Sequence, residues 1–143
     1  MIEINNLTTK EIDESFLKKL AEKVLKEEGK EGSLSIALIG PRRMRKLNRK
    51  YRGKNRVTDV LAFSGNELIP IIPGQKAEIG EVIICLREVK KNAKRFGQSF
   101  EKELSRCLIH GILHLLGFDH ERSEKKAERM KKKEEYYLNL FFK

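Results

Sequence analysis

A nearly continuous apolar run at residues 79–86 constrains the fold of this chain more than any other feature. Its β-branched residues and short length predict a strand. A strand exposed on one face alternates apolar and polar side chains, whereas a continuous run is typical of a strand buried on both faces. We therefore expect this strand to lie at a central position in a sheet that helices cover.

Strand and helix patterns surround this central run. Further strands are predicted at residues 1–7, 34–38 and 57–63, and residues 64–77 are predicted to form a loop. Helices are predicted after a capping box of Thr8 and Glu11, from Pro41 in the first turn of a second helix, at residues 87–96 and 100–116, and from about residue 121. Gly29, Gly53 and Gly117 mark three of the helix ends. Four strands and about five helices predict an α+β domain with α/β-like features, a single unit over residues 1–143.

The charge balance predicts a polyanionic partner. The 143 residues include 31 basic and 21 acidic side chains, a formal net charge of +10. Dense charge of both signs is typical of ion-pair networks, but such networks do not account for the surplus of one sign.

The beginning of the chain has neither a basic nor an apolar segment of a signal peptide, and the apolar stretch at residues 107–118 is too short to span a bilayer. Two cysteines outside any CxxC pair suit a reducing compartment, so a soluble cytoplasmic protein is expected.

All three histidines of the chain lie in the segment HGILHLLGFDH, residues 110–120. His110 and His114 are four residues apart on a predicted helix, so they share a face about 6 Å apart along the axis. Gly117 allows the chain to reverse at the helix end, which lets His120 approach the same point. Three neutral nitrogen ligands suit one zinc ion and leave a fourth position for water.

Other interpretations of the histidines remain open from the residues alone. A lone histidine among apolar residues would be interpreted as a packed core residue. Three histidines at this spacing, with a glycine between the second and the third, favour a metal site instead. Cys107, three residues before His110, is the candidate fourth ligand of a closed structural zinc site. Imidazole also suits nickel, iron, cobalt and copper. Asp119 could orient an imidazole, accept a proton or cap the following helix.

The histidine segment differs from the zincin pattern H-E-x-x-H in one chemically important position. The glutamate that acts as general base in that pattern is replaced by Gly111. Hydrolysis by the usual metalloprotease route therefore lacks its proton acceptor. A zinc site could still act on another bond, such as a phosphodiester.

A basic segment without any acidic residue runs from residue 41 to residue 58. An unbroken basic run favours a surface that follows a phosphate backbone. Arg52 stands at its helix–loop boundary, where its guanidinium could clamp a phosphate. A second basic region at residues 90–95 could widen this surface. The charge indicates a polyanion without indicating which one.

With these motifs, the chain resembles the YbeY family of bacterial endoribonucleases. The resemblance is carried by the histidine segment and by LNRKYRG at residues 47–53, TDVLAFS at 58–64 and GEVII at 80–84, and it extends from about residue 34 onwards. It implies a small mixed sheet packed by helices, with the metal-binding helix in a cleft. It also implies that His110, His114 and His120 bind the metal and that Arg52 and His114 are catalytic residues. The family usually has Asp where this chain has Glu81 and Ser where it has Ala62, which leaves a catalytic role for Glu81 open.

The resemblance further implies a zinc-dependent endoribonuclease that is specific for single strands. Such an enzyme matures the 3′ end of 16S ribosomal RNA on the small subunit and takes part in ribosome quality control. We expect no membrane or DNA partner; the sequence leaves the oligomeric state open, with a monomer as the expectation. Attack by water and attack by the RNA 2′-hydroxyl both remain open. Two other functions are compatible with the residues: an RNA-binding ribosome-assembly factor with a structural zinc, and a zinc hydrolase of another bond.

Overall fold

The structure is a computed structural model that describes residues 1–65, 78–118 and 123–142. Strands β1 (Ile2–Asn6), β2 (Leu34–Ile39), β3 (Val60–Ser64) and β4 (Gly80–Cys85) form one sheet in the order β1-β2-β4-β3. β1, β2 and β4 are parallel, and β3 pairs antiparallel with β4. The apolar run is therefore an inner strand of a mixed sheet, which confirms the predicted α+β fold and its central strand.

The described residues contain five helices: α1 (Glu14–Glu27), α2 (Pro41–Arg52), α3 (Leu86–Arg95), α4 (Phe100–Leu115) and α5 (Glu124–Phe141). Helices α1 to α4 contact the sheet, and α5 packs against α4. Side chains of β4 alternate between its two faces. Val82 and Ile84 join one apolar cluster with residues of α1, α3, α4 and α5, and Ile83 and Cys85 join a second cluster with Met44 of α2. All of these β4 side chains are fully buried, as expected for a strand that is covered on both faces. None of the helices within the described ranges is long and apolar enough to cross a membrane.

The predicted capping box of the first helix is wrong. α1 begins at Glu14, and Asp13 caps it by accepting a hydrogen bond from the Phe16 N–H at 3.1 Å. Thr8 instead belongs to the turn after β1, where its hydroxyl donates to Asn6 Oδ1 at 2.7 Å. The turn uses the polar groups of Thr8 locally, so the next side chain able to cap a helix sets the start.

Other boundaries shift by a few residues. β3 begins at Val60 rather than at residue 57, and α3 follows β4 without a linker. α5 begins at Glu124 because Ser123 accepts a hydrogen bond from the Lys126 N–H at 3.1 Å. Most of the predicted loop at residues 64–77 lies outside the described residues.

Candidate metal centre and nucleic-acid cleft

Helix α4 carries the first two histidines at the edge of the core. Ser99 caps this helix, its hydroxyl accepting from the Lys102 N–H at 3.1 Å, and residues such as Leu108 and Ile112 bury its apolar face. His110 and His114 stand one turn apart with ring centroids 4.7 Å apart. Their Nε2 atoms are 3.1 Å from each other, so both rings direct the same nitrogen to one point.

This separation fits a shared metal ion. Two nitrogen ligands at about 2.05 Å from a tetrahedral zinc ion lie about 3.3 Å apart. The Nε2 pair is within a few tenths of an ångström of that value, and nitrogen donors are the chemistry that zinc prefers. Gly117 has a positive φ of 96° directly after the helix, the backbone conformation that glycine accepts cheaply. The predicted third ligand, His120, and its neighbour Asp119 lie outside the described residues.

The second ring nitrogen of His110 faces a carboxylate from the last helix. Glu134 Oε2 lies 3.0 Å from His110 Nδ1, and the side chains are 12% and 20% exposed. Sequence reasoning missed Glu134 because it lies 24 residues from His110. A carboxylate beside the outer nitrogen of a histidine is the usual support of a metal-binding imidazole.

The histidine pair opens into a cleft of about 630 Å³ between α4 and β3. The described part of this cleft also contains the predicted catalytic arginine. Its walls include the histidines and Gly111 on one side and Val60, Ala62, Arg52, Lys54 and Arg56 on the other. The structure thus brings Arg52, His110 and His114 together from helices that are far apart in sequence.

Arg52 is fixed at the end of α2, where Gly53 ends the helix in the left-handed conformation. Its Nη2 donates to the Ala62 carbonyl at 2.8 Å, and its guanidinium carbon lies 4.4 Å from the centre of the Phe63 ring. Both contacts are to β3, the edge strand of the described sheet. They hold a permanent positive charge at the cleft, which is a suitable arrangement for a phosphate.

Cys107 faces carboxylates. Its sulfur lies 3.6 Å from Asp59 Oδ2 and 3.9 Å from Glu103 Oε2, and these three residues place potential ligand atoms within 4.8 Å of one another. Across the described ranges, this is the cluster of three that distance alone would allow to hold a metal. Burial raises the pKa of the Cys107 thiol well above its ordinary value, which favours the protonated form over the thiolate a metal needs.

The carboxylates of this cluster already have partners. Arg106 Nε donates to Glu103 Oε1 at 3.0 Å, and the Asn92 amide donates to Asp59 Oδ2 at 3.3 Å. The hydrogen bond to Glu103 raises the pKa of Arg106 above its ordinary value. These residues form a hydrogen-bonded cluster next to the cleft, in which the Cys107 sulfur faces the carboxylates of Asp59 and Glu103. Sequence spacing suggested Cys107 as a fourth ligand beside the histidines. Among the described residues, the ligand atoms of Cys107, His110 and His114 do not lie close enough together to hold one metal ion.

Glu81 lies on the other side of the sheet. It alternates with Val82, which contacts α4, so its side chain is on the face of Ile83 and Cys85. Its Oε2 accepts a hydrogen bond from the Ser35 hydroxyl at 3.1 Å, and burial raises its carboxyl pKa. The partner of this carboxylate is therefore a serine on the neighbouring strand β2.

Basic side chains continue from the cleft along α2. Arg42, Arg45, Lys46 and Arg49 border a shallow groove of about 500 Å³ with Asn55, and Arg45 Nε donates to Asn55 Oδ1 at 3.0 Å. The second predicted basic region lies on α3, where Lys91, Lys94 and Arg95 are exposed. The basic segment therefore forms a surface that leads toward the cleft through Arg52, Lys54 and Arg56.

Comparison with known proteins agrees with this architecture. The sequence model of the family described as endoribonuclease YbeY matches residues 3–141. The endoribonuclease YbeY of Petrotoga mobilis is 37% identical over 142 residues, which are 98% of this chain and 94% of that protein. That of Thermodesulfovibrio yellowstonii is 44% identical over 108 residues, or 74% of this chain and 65% of the relative.

A solved structure is also similar. The solution structure of a protein from Thermotoga maritima superimposes with a TM-score of 0.64 at 33% sequence identity. The match covers 96% of this chain and 87% of the other. The family match over nearly the whole sequence, together with the relatives and this shared fold, confirms the resemblance seen in the motifs: the chain belongs to the endoribonuclease YbeY family.

Proposed function

We propose that residues 1–143 act as one zinc-dependent domain that cleaves single-stranded RNA internally. The substrate in this proposal is the 3′ region of 16S ribosomal RNA on the small subunit in the cytoplasm, and the cleavage contributes to ribosome quality control. The observation that carries the proposal is the convergence of His110 and His114 Nε2 at 3.1 Å in the cleft that also holds Arg52. The names of the relatives support an RNA substrate.

Three histidines would hold the metal: His110, His114 and His120. When bound, zinc supplies Lewis-acid stabilisation of charge on a phosphoryl oxygen and lowers the pKa of water. Arg52 binds a non-bridging phosphate oxygen and stabilises the charge that develops there during cleavage. The basic groove along α2 binds flanking phosphates and sets the direction of the strand.

The surroundings of Cys107 support a catalytic site over a purely structural one. A closed zinc site needs a fourth protein ligand, usually a thiolate. The Cys107 thiol is paired with Asp59 and is protonated by preference. In this proposal Cys107 is therefore not the fourth ligand, and the fourth position would be taken by solvent or substrate.

The test measures zinc content and RNA cleavage together for wild type and His114→Ala. We expect the variant to lose both bound zinc and cleavage, because two of three ligands hold the ion poorly. Exposed Lys132→Ala, prepared in the same way, serves as the control for contaminating nucleases and should retain both. Equal cleavage by His114→Ala, or full cleavage after complete zinc removal, would contradict the proposal.

The product ends decide which oxygen attacks. A 2′,3′-cyclic phosphate indicates attack by the neighbouring 2′-hydroxyl, and a 5′-phosphate indicates attack by water. If the protein binds RNA and zinc but never turns over, the role of an assembly factor with a structural zinc replaces this proposal.

A further inference from the structure

We propose that Glu134 is a positioning residue that holds the His110 ring in the tautomer needed for metal binding. This inference rests on the proposed metal site and extends it to α5. The geometry on which it depends is the 3.0 Å contact between Glu134 Oε2 and His110 Nδ1. The other nitrogen of the same ring, Nε2, faces His114 Nε2 at 3.1 Å.

Hydrogen-bonding capacity fixes the tautomer. An ionised carboxylate only accepts hydrogen bonds, so the imidazole nitrogen that faces it carries the hydrogen. A neutral imidazole has one N–H, which leaves the Nε2 lone pair of His110 directed at the proposed ion. Contact with a carboxylate also fixes the angle of the ring.

The carboxylate is itself held between two partners. Glu134 Oε1 lies 3.6 Å from Arg106 Nη1, while its Oε2 contacts His110. Arg106 also binds Glu103, which is only 2% exposed, so the guanidinium is anchored on α4. Arg106 thus contacts Oε1 of Glu134, and the other carboxylate oxygen, Oε2, faces the His110 imidazole.

Contacts between α5 and α1 set the position of Glu134 along the helix. The preceding residue, Lys133, places its ammonium 2.8 Å from Glu28 Oε2. Tyr137, which is 1% exposed, donates its hydroxyl to the same carboxylate. With these contacts on both sides, Glu134 occupies a place determined by tertiary packing, as a supporting group for a metal ligand requires.

The competing explanation is that Glu134 only pairs with Arg106 and stabilises the fold. Three variants separate the two roles. Glu134→Gln keeps a carbonyl oxygen that can accept from Nδ1–H but removes the charge, and Glu134→Ala removes both. Glu135→Ala is the matched control, because it makes the same change at the exposed neighbouring residue.

The first measurement is made on metal-free protein and does not depend on activity. Two-bond ¹H–¹⁵N spectra of the histidine rings, at a pH where imidazole is neutral, report which nitrogen carries the hydrogen. We expect the Nδ1–H tautomer of His110 in wild type, Glu134→Gln and Glu135→Ala, and a loss of that preference in Glu134→Ala. An Nε2–H tautomer in wild type would overturn the proposal.

The second measurement is zinc affinity by competition with a chelator. We expect the dissociation constant to rise about 10–100-fold in Glu134→Ala and less in Glu134→Gln, with Glu135→Ala unchanged. Urea unfolding of the metal-free variants checks that they fold, and Glu134→Gln remains informative if Glu134→Ala does not. A stability loss without any change in tautomer or zinc affinity would show that Glu134 is only structural. If wild type binds no zinc, the proposed function fails, while the tautomer spectra still decide the role of Glu134.

Discussion

The backbone of Gly111 lies so close to Val82 that a Cβ atom at position 111 would sit 2.6 Å from Val82 Cγ1. Position 111 follows His110 directly, and the missing side chain lets α4 approach β4 beside the two histidines. It is also the position at which a zincin helix carries its general base. In this fold a side chain there would enter the sheet contact, so the absence of that glutamate has a packing reason.

We expect Gly111→Ala to lower the free energy of unfolding by about 1 kcal/mol. Overpacking of a core costs about 1–3 kcal/mol, which outweighs the gain of up to about 1 kcal/mol from replacing Gly by Ala within a helix. Urea unfolding of the metal-free protein measures the change. In a Val82→Ala background the loss should shrink, because the atom that clashes is removed. A Gly111→Ala protein more stable than wild type would refute the tight contact.

Substitution of Arg52 should affect turnover and not metal binding. We expect Arg52→Ala to lower kcat for RNA cleavage about 10²-fold, since one fixed donor to a developing negative charge has that effect. Zinc content should stay at the wild-type level. Lys50→Ala, an exposed basic residue of the same helix, is the control and should change KM more than kcat. Equal losses of kcat in the two variants would mean that Arg52 acts only through its charge.

The basic groove on α2 should contribute to the salt dependence of RNA binding. Each phosphate contact on a single strand contributes about 0.7 to the slope of log affinity against log salt concentration. We expect Arg49→Ala, at the groove, to reduce the slope by about that amount. The matched change on α5, Lys132→Ala, should leave it unaltered, since α5 belongs to the apolar cluster on one face of β4 and α2 to the cluster on the other. Identical slopes for both variants and wild type would place the RNA elsewhere.

Glu81 should make stability depend on pH in the opposite sense to an ion-paired acid. Burial raises its pKa above the ordinary 4.5, so the folded protein holds this proton more tightly than the unfolded chain does. The contribution of Glu81 to stability therefore falls as pH rises above about 4.5 and through the raised folded-state value. We expect Glu81→Gln to gain stability relative to wild type between acidic and neutral pH. Urea unfolding at both pH values tests this, and a constant difference between the proteins would contradict it.

Local rules were sufficient for much of the fold and for part of the site. The four-residue spacing of His110 and His114, the left-handed Gly53 and Gly117 and the buried run of β4 are properties of short segments. Helix geometry alone places residues four apart on one face, and glycine alone accepts positive φ cheaply. The strand and helix pattern, the histidine pair and the basic character of α2 were therefore predictable from the sequence.

Tertiary packing decided what lies around those segments. Cys107 faces Asp59, a partner 48 residues away along the chain, and spacing along the sequence does not predict that contact. The Thr8 capping box failed for a local reason, because the turn after β1 pairs the Thr8 hydroxyl with Asn6. Glu134 reaches His110 across 24 residues only because α5 docks against α1 and α4. Spacing along the chain determines which side chains share a face, whereas the arrangement of whole elements determines which partner each face meets.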